Sequence, residues 1–378
     1  MRFFLLFFIF NHFLNSSFGQ VYFNLETLPS QYTPTPDALF ITGNFNNWNP
    51  RDTMFRFRKN EQGMWQVAVL TSLSNLEYKI TKGSWETVEA TEQGANISNR
   101  ICPNTPGLQI GIHIAGWSDT KSLHTATKEV RVLASPVWLK ALQRYRRIWV
   151  YLPGNYEKEP NRHYPVIYFH DGQNIFDNAT SAYGEWKLDE ALNQLEKEPG
   201  WEPIIAVGID HGGTERLNEL TPFRHPKYGG GLGENYAKAV VEDVKPLIDS
   251  LFRTKSKAAS TGIAGSSLGG IESLYMAYAY PNVFSKALIF SPALWFSDSL
   301  RQFCKSKPPS KNLRLYWVCG TNEGDEDMVP DFNECYEDLL KAGRPKRNMK
   351  KRIVSGGTHS ESFWSSEVKA GIYWLFKK

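Results

Sequence analysis

Cysteine is scarce. There are 4 in 378 residues, Cys102, Cys304, Cys319 and Cys335. They are too few and too scattered for a disulfide scaffold or a zinc site, and they read as structural. No charge of one sign dominates: Lys+Arg 43 against Asp+Glu 39 leaves +4, too weak an imbalance for a nucleic-acid protein. After the first few residues no apolar run approaches the ~20 residues that a membrane helix needs. No internal repeat, glycine-rich nucleotide loop or calcium-type loop appears. The sequence therefore implies no metal, no cofactor, no nucleic-acid partner and no stable membrane insertion. The hydrophobic share is 41% and the charged share 22%, ordinary globular values that exclude a disordered, collagenous or coiled-coil chain.

The first stretch is the exception to the lack of long apolar runs. Met1-Arg2 precedes an unbroken run from Phe3 to Phe10, and Ser17 and Gly19 place small residues ahead of a cut before Gln20. This is the pattern of a secretory signal peptide over 1–19, so the expected location is secreted or periplasmic. The sequons at Asn96 and Asn178 carry meaning only in a eukaryotic secretory pathway.

Two halves follow, written in different periodicities. Residues 20–115 read as short strands: Leu39 to Thr42, Gly63 to Val69 and Leu76 to Ile80 alternate at period two between turn residues, which predicts a small all-β Ig-like sandwich. A polar stretch, 116–127, reads as the linker. From 128 to 378 buried-type strands (Arg147 to Leu152, Val166 to Phe169, Ile204 to Ile209, Ala287 to Phe290, Leu313 to Val318) alternate with helical stretches (Glu185 to Leu195, Asn235 to Phe252, Ile271 to Tyr280). That alternation predicts an α/β fold with a doubly wound sheet covered on both faces. The basic cluster from Arg344 to Arg352 reads as a solvated connection before a strand at Ile353-Val354.

The chemistry sits in the second half. Gly265-Ser266-Ser267-Leu268-Gly269 carries Gly-x-Ser-x-Gly between a strand end and a helix, the context of a nucleophile elbow with Ser267 at its apex. A serine hydroxyl needs a neighbouring base, and His359, following Gly356-Gly357-Thr358, is the best placed of the eight histidines. A third group must orient the imidazole. Glu323, at the end of the strand Leu313 to Val318, is the first choice, with Asp325 and Asp327 behind it. The oxyanion of the tetrahedral intermediate needs two N–H donors. Leu268, just after the nucleophile, supplies one. Gln173, in the loop His170-Asp171-Gly172-Gln173-Asn174, supplies the other, with Gly172 the alternative. The pair His170-Asp171 reads as loop structure. Trp186, Trp295 and Trp364 read first as core and second as acyl-pocket lining. Arg216 and Glu219 fall near the expected rim with no role assigned.

These stretches, with Tyr151-Leu152-Pro153, Ser291-Pro292-Ala293-Leu294-Trp295 and Gly320-Thr321-Asn322-Glu323, resemble the Putative esterase family of α/β-hydrolases, which includes enterochelin-type, feruloyl and acetyl-xylan esterases. The resemblance implies Ser267 as nucleophile and His359 as base. Relatives often carry Asp where Glu323 stands, and some use a Ser–His dyad. Residues Ile41 to Pro50, Tyr78 to Ile80, Trp85-Glu86 and Asn99-Arg100 resemble starch-binding domains of the family-20/48 carbohydrate-binding type. That resemblance implies a glucan or other glycan partner held by Trp48, Lys79, Trp85 and Asn99. Related domains keep the fold after losing the site.

The leading expectation is a secreted serine esterase that works through an acyl-enzyme on small-molecule or polysaccharide-linked esters, feruloyl or acetyl. The alternatives are a siderophore trilactone esterase, an acyltransferase of the same fold, and, from another class, a catalytically inactive glycan-binding protein.

Overall fold

The computed structural model describes residues 19–29, 38–92, 94, 96–119, 124–308, 312–324 and 328–377. The expected signal segment up to residue 18, and with it Ser17, lies outside the described residues, as do Asp325 and Asp327. No helix among the described residues is long and apolar enough to cross a membrane. The chain divides between residues 122 and 123 into two compact units.

The first unit is all-β apart from short 3-10 turns. One sheet pairs Gly19–Thr27 with Trp65–Thr71 and Gln109–His113, with Arg58–Lys59 at its edge; a second pairs Asn75–Thr81 with Phe40–Gly43 and Arg100–Pro103. Period-two alternation drives one side of each strand inward. Val21, Phe23, Val69 and Ile112 from the first sheet meet Ile41, Leu76, Tyr78 and Ile80 from the second in a single core. The unit extends past the expected boundary at 115. Gly116–Trp117 forms a short strand against Glu89–Ala90, and the Trp117 indole is fully buried.

The second unit is built on an eight-stranded sheet: β1 (Val130–Val132), β2 (Ile148–Tyr151), β3 (Val166–Phe169), β4 (Ile205–Ile209), β5 (Thr261–Ser266), β6 (Lys286–Phe290), β7 (Arg314–Asn322) and β8 (Met349–Thr358). Their spatial order is β1-β2-β4-β3-β5-β6-β7-β8. β2 pairs antiparallel with both β1 and β4, and every pairing from β4 through β3 to β8 is parallel. β2 to β5 and all but the first residue of β6 are buried throughout, the mark of a sheet covered on both faces. The helices are α1 (Leu188–Leu195), α2 (Arg216–Glu219), α3 (Gly233–Ala239), α4 (Lys245–Leu251), α5 (Leu268–Ala279), α6 (Asp298–Ser306), α7 (Met328–Lys341) and α8 (Glu361–Phe376). Residues of α3 to α7 share one core with one face of the sheet. Residues of α1 and α8 share the other. This is the α/β-hydrolase arrangement.

Two local readings differ from expectation. The helix expected over Asn235 to Phe252 is interrupted by a π-turn at Val240–Val244. Pro246 follows it and has no N–H to continue an α ladder. The basic run from Arg344 is solvated at Lys346, Arg347, Lys350 and Arg352 as expected, but not at its first residue, and its second half is already strand. β8 already begins at Met349, and Arg344 is buried with its guanidinium 4.1 Å from the Tyr278 ring centroid.

Candidate active site

A parallel sheet gathers its functional loops at the carboxyl ends of its strands. Ser267 caps β5 at the start of α5, with φ 57 and ψ −121. A non-glycine residue in that region is strained, and such strain persists only where the surroundings over-determine it. Here the strand before it, the helix after it and the next loop all hold it. Ser267 N–H donates to Phe290 C=O at 3.0 Å, and Ala293 N–H donates to Ser267 C=O at 3.1 Å. Gly265 has no room for a side chain, since a Cβ would lie 2.7 Å from the Gly269 carbonyl oxygen. Ser267 is partly exposed. As the first residue of α5, Leu268 offers an N–H with no intrahelical acceptor.

The loop after β3 brings the second expected donor. Asp171 is left-handed (φ 55, ψ 45) and opens a 3-10 turn over Gly172–Asn174. Gly172 packs on the next strand so closely that a Cβ would lie 2.6 Å from the Gly208 carbonyl carbon. The Gln173 side chain accepts from His211 N–H at 3.2 Å, and its main-chain oxygen accepts from the Thr180 hydroxyl at 2.8 Å. His170 is structural: its Nδ1 meets the Tyr236 hydroxyl at 2.9 Å, and burial pulls its pKa down to about 4. Burial would raise the Asp171 carboxyl, but the Arg216 guanidinium, at 2.6 and 2.8 Å, holds it below the usual range. Glu219 is buried and takes the guanidinium groups of Arg144 and Arg146.

His359 follows β8, three strands over from Ser267, a lateral step of about 14 Å at ~4.8 Å per strand. Its loop is drawn back across β7 and β6 by a relay of side chains. Glu323 Oε2 lies 3.1 Å from His359 Nδ1. Glu323 Oε1 accepts from the Ser291 hydroxyl at 2.6 Å and from Gly320 N–H at 2.5 Å. The Ser291 oxygen in turn accepts from Trp364 Nε1–H at 2.8 Å, and the Trp364 ring meets the His359 ring edge-on at 5.2 Å. Ser291 is the residue after Phe290, whose carbonyl takes the Ser267 N–H. The relay thus runs from the histidine back to the end of β6, beside the elbow at the end of β5. With a carboxylate accepting at Nδ1, that nitrogen carries the hydrogen and Nε2 keeps its lone pair. No hydrogen bond joins Ser267 directly to His359 among the described residues.

Sequence reasoning passed over Ser291 as a functional residue. It is fully buried, with φ 39. A buried serine beside an active-site strand, in a backbone conformation serine rarely adopts, is the available signal. It also passed over Glu361, on the first turn of α8. Asn174 Nδ2 donates to Glu361 at 3.2 Å, and burial pushes this carboxyl up to about 7. Trp186 and Trp364 pack against each other at 5.6 Å in the core, whereas Trp295 is 43% exposed.

The stretch before β1, expected as linker, is tied to the second unit. Thr125 N–H donates to Asp177 at 3.1 Å, and its hydroxyl donates to Glu185 at 2.8 Å. Thr127 N–H donates to Asp189 at 2.7 Å, a carboxyl that burial pushes up to about 7.

In the first unit the Trp48 and Trp85 rings lie 6.1 Å apart, and Trp85 is exposed. The Lys79 ammonium is held by the carbonyls of Ile97 and Ser98, directly before Asn99.

Residues 140–373 match the family described as Putative esterase. The chain is 24% identical over 245 residues to the protein YbbA of Bacillus subtilis (strain 168), covering 62% of this chain and 93% of that one. It is 24% identical over 243 residues to the endo-1,4-beta-xylanase/feruloyl esterase of Xylanibacter ruminicola, covering 64% of this chain but only 30% of that much longer protein. The solved enterobactin esterase of Shigella flexneri with enterobactin superposes with a TM-score of 0.58 at 16% identity, covering 95% of this chain and 92% of that one. The family match spans the Ser267 turn, the Ser291–Glu323–His359 relay and the loop after β3 alike, and the chain belongs to the Putative esterase family: it is a carboxylic ester hydrolase of the α/β-hydrolase fold.

Proposed function

We propose that Ser267 is the nucleophile of an acyl-enzyme mechanism, with His359 as its base and Glu323 as the group that orients His359. The observation that carries this reading is the strained Ser267 turn, whose N–H is held by Phe290 next to Ser291, where the His359–Glu323 relay ends. His359 Nε2 takes the Ser267 proton as Oγ adds to the ester carbonyl. The tetrahedral oxyanion is held by the N–H groups of Leu268 and Gln173. His359 returns the proton to the departing alcohol, then activates water to release the acid and restore the serine. Both Glu323 oxygens are bonded, so the carboxylate has little freedom to turn away from His359.

The proposed substrate is an acyl ester of a carbohydrate, feruloyl or acetyl, met outside the cell after removal of residues 1–19. The similarity to a xylanase/feruloyl esterase and the neighbouring rings of Trp48 and Trp85 support this choice. Trp48, Lys79, Trp85 and Asn99 are the proposed glycan contacts of the first unit. A second reading is a siderophore trilactone esterase. The likeness to the enterobactin esterase structure extends over 95% of the chain, beyond the esterase match at 140–373.

Labelling with a fluorophosphonate tests the nucleophile. Ser267 reacts in the wild type, and Ser267→Ala loses both the label and turnover of p-nitrophenyl acetate. A Ser267→Ala protein with wild-type turnover ends the proposal. Hydrolysis of methyl ferulate against that of a catecholate trilactone separates the two substrate readings.

A further inference from the structure

Beyond the nucleophile turn, at the same end of the sheet, lies a groove of about 700 Å³, within the size range of small-molecule sites. Its inner wall begins where the catalytic frame ends. Ala293, whose N–H holds the Ser267 carbonyl, leads into the 3-10 turn Leu294–Phe296, and all three residues of that turn line the groove.

The groove presents a platform ringed by charge. The Trp295 indole packs at steep angles against Tyr228 at 5.8 Å and 82°, His225 at 6.5 Å and 73° and Phe296 at 5.8 Å and 62°, yet 43% of the residue stays exposed. Around it stand Arg224, Arg301, Asp298, Asp331 and Glu334. Arg301 is bonded to Glu334 at 2.6 Å and to Asp298 at 3.3 Å, while the Asp298 and Glu334 side chains remain 87% and 58% exposed.

This mixture of groups selects among ligands. Two guanidinium groups face three carboxylates, so the groove has no surplus of positive charge with which to hold a multiply anionic catecholate–iron complex. An unsubstituted aryl chain lying across it would strip water from ionic groups and offer them nothing. A neutral polyol meets every group at once. Its hydroxyls donate to the carboxylates and accept from the guanidinium groups, and the apolar face of its ring lies on the indole.

We propose that this groove is the subsite for the alcohol side of the ester, and that it binds a saccharide with one ring stacked on Trp295. The proposal rests on the reading of Ser267 as the esterase nucleophile. It adds a sugar-recognition site within the second unit, separate from the tryptophan pair of the first.

The test compares two esters of one acid on the full chain: ferulate linked to an arabinoxylo-oligosaccharide, and methyl ferulate. The readout is the ratio of their kcat/KM values. The wild type favours the sugar ester, and Trp295→Ala lowers that ratio by about ten-fold, the scale of losing one well-packed aromatic contact. Trp295→Phe, which keeps a flat ring, retains most of the preference and controls for misfolding. The proposal is overturned if the wild type shows no preference, if Trp295→Ala lowers both esters equally, or if only a catecholate trilactone is cleaved. In each of those cases loss of turnover in Ser267→Ala still upholds the esterase nucleophile. Full activity of Ser267→Ala overturns the nucleophile reading itself, and with it the subsite that rests on it.

Discussion

Ser291→Ala is the sharpest test of the relay. The hydroxyl does two jobs in a fully buried position: it donates to Glu323 Oε1 at 2.6 Å and accepts from Trp364 Nε1–H at 2.8 Å. Alanine removes a charge-assisted hydrogen bond, worth ~1.5–3 kcal/mol, and orphans a buried indole donor at a cost of ~1–3 kcal/mol. Glu323 keeps Gly320 N–H at 2.5 Å, and the smaller side chain leaves space for partial relief, so the net loss should be about 2–3 kcal/mol. At ~2–4 °C per kcal/mol for a unit of this size, Tm falls by roughly 5–10 °C. The carboxylate also loses a tether on the side away from the histidine, so the imidazole wanders. The expected result is a kcat lowered by about ten-fold or more with KM little changed, as for an interaction that matters in the transition state. Thermal melts and steady-state kinetics on p-nitrophenyl acetate read both quantities. A Tm within ~1 °C of wild type together with kcat within about two-fold would refute the relay, because neither the orphaned donor nor the loosened carboxylate would then have a measurable cost.

Thr125→Val removes the hydroxyl that donates to Glu185 and accepts from Asn178 N–H, both at 2.8 Å. It should loosen the loop that carries Gln173 and lower kcat several-fold, while Thr125→Ser restores it; equal activity of the two variants would leave the preceding segment without a catalytic role. His170 is held neutral, its pKa lowered from 6.5 to about 4 by burial. The unfolded chain therefore takes up a proton that the folded chain refuses, and stability falls as pH drops from 6.5 to about 4, by on the order of 3 kcal/mol. His170→Gln should flatten that part of a Tm–pH curve, and an unchanged slope would count against the assignment. Glu272, on α5, is fully buried, with both carboxyl oxygens unpartnered among the described residues, and burial raises its pKa well above 4.5. Its cost appears as pH rises above 4.5, where only the unfolded chain ionises freely. Glu272→Gln should therefore melt higher than wild type at pH 8, with the gap narrowing toward pH 4.

The parts of the site that were legible in the sequence are those whose chemistry is enforced by local backbone. Ser267 could be named because an elbow needs small residues on both sides of it, and Gly265 has no space for anything larger. Glu323 could be named because it follows a strand whose buried residues are plain to read, and His359 because a glycine pair precedes it. The parts that were not legible depend on what the sheet brings alongside. Ser291 looks like any serine in a turn until β6 is set between β5 and β7, which puts its hydroxyl against Glu323. The stretch 124–127 is polar and reads as linker. Its polar groups are instead consumed by Asp177, Glu185 and Asp189, carboxylates more than 50 residues away in the chain whose burial no local pattern reveals. Arg344 alone in its basic run misled for the opposite reason, since a guanidinium can pack on a tyrosine ring and still count as surface in any composition argument.

The tryptophans show why type alone does not separate packing from recognition. Trp186, Trp295 and Trp364 are one residue type at one end of one sheet. Trp186 is closed in by Phe169, Phe290 and Trp364. Trp364 is committed twice, by its ring to His359 and by its N–H to Ser291, so replacing it would disturb both ends of the proposed relay together. Trp295 meets Tyr228, His225 and Phe296 at steep angles, and 43% of it is left to solvent. The first two stiffen the frame that holds a proton in place. The third has surface to spare for something that arrives, and of these three rings it is the one left free to meet the ester.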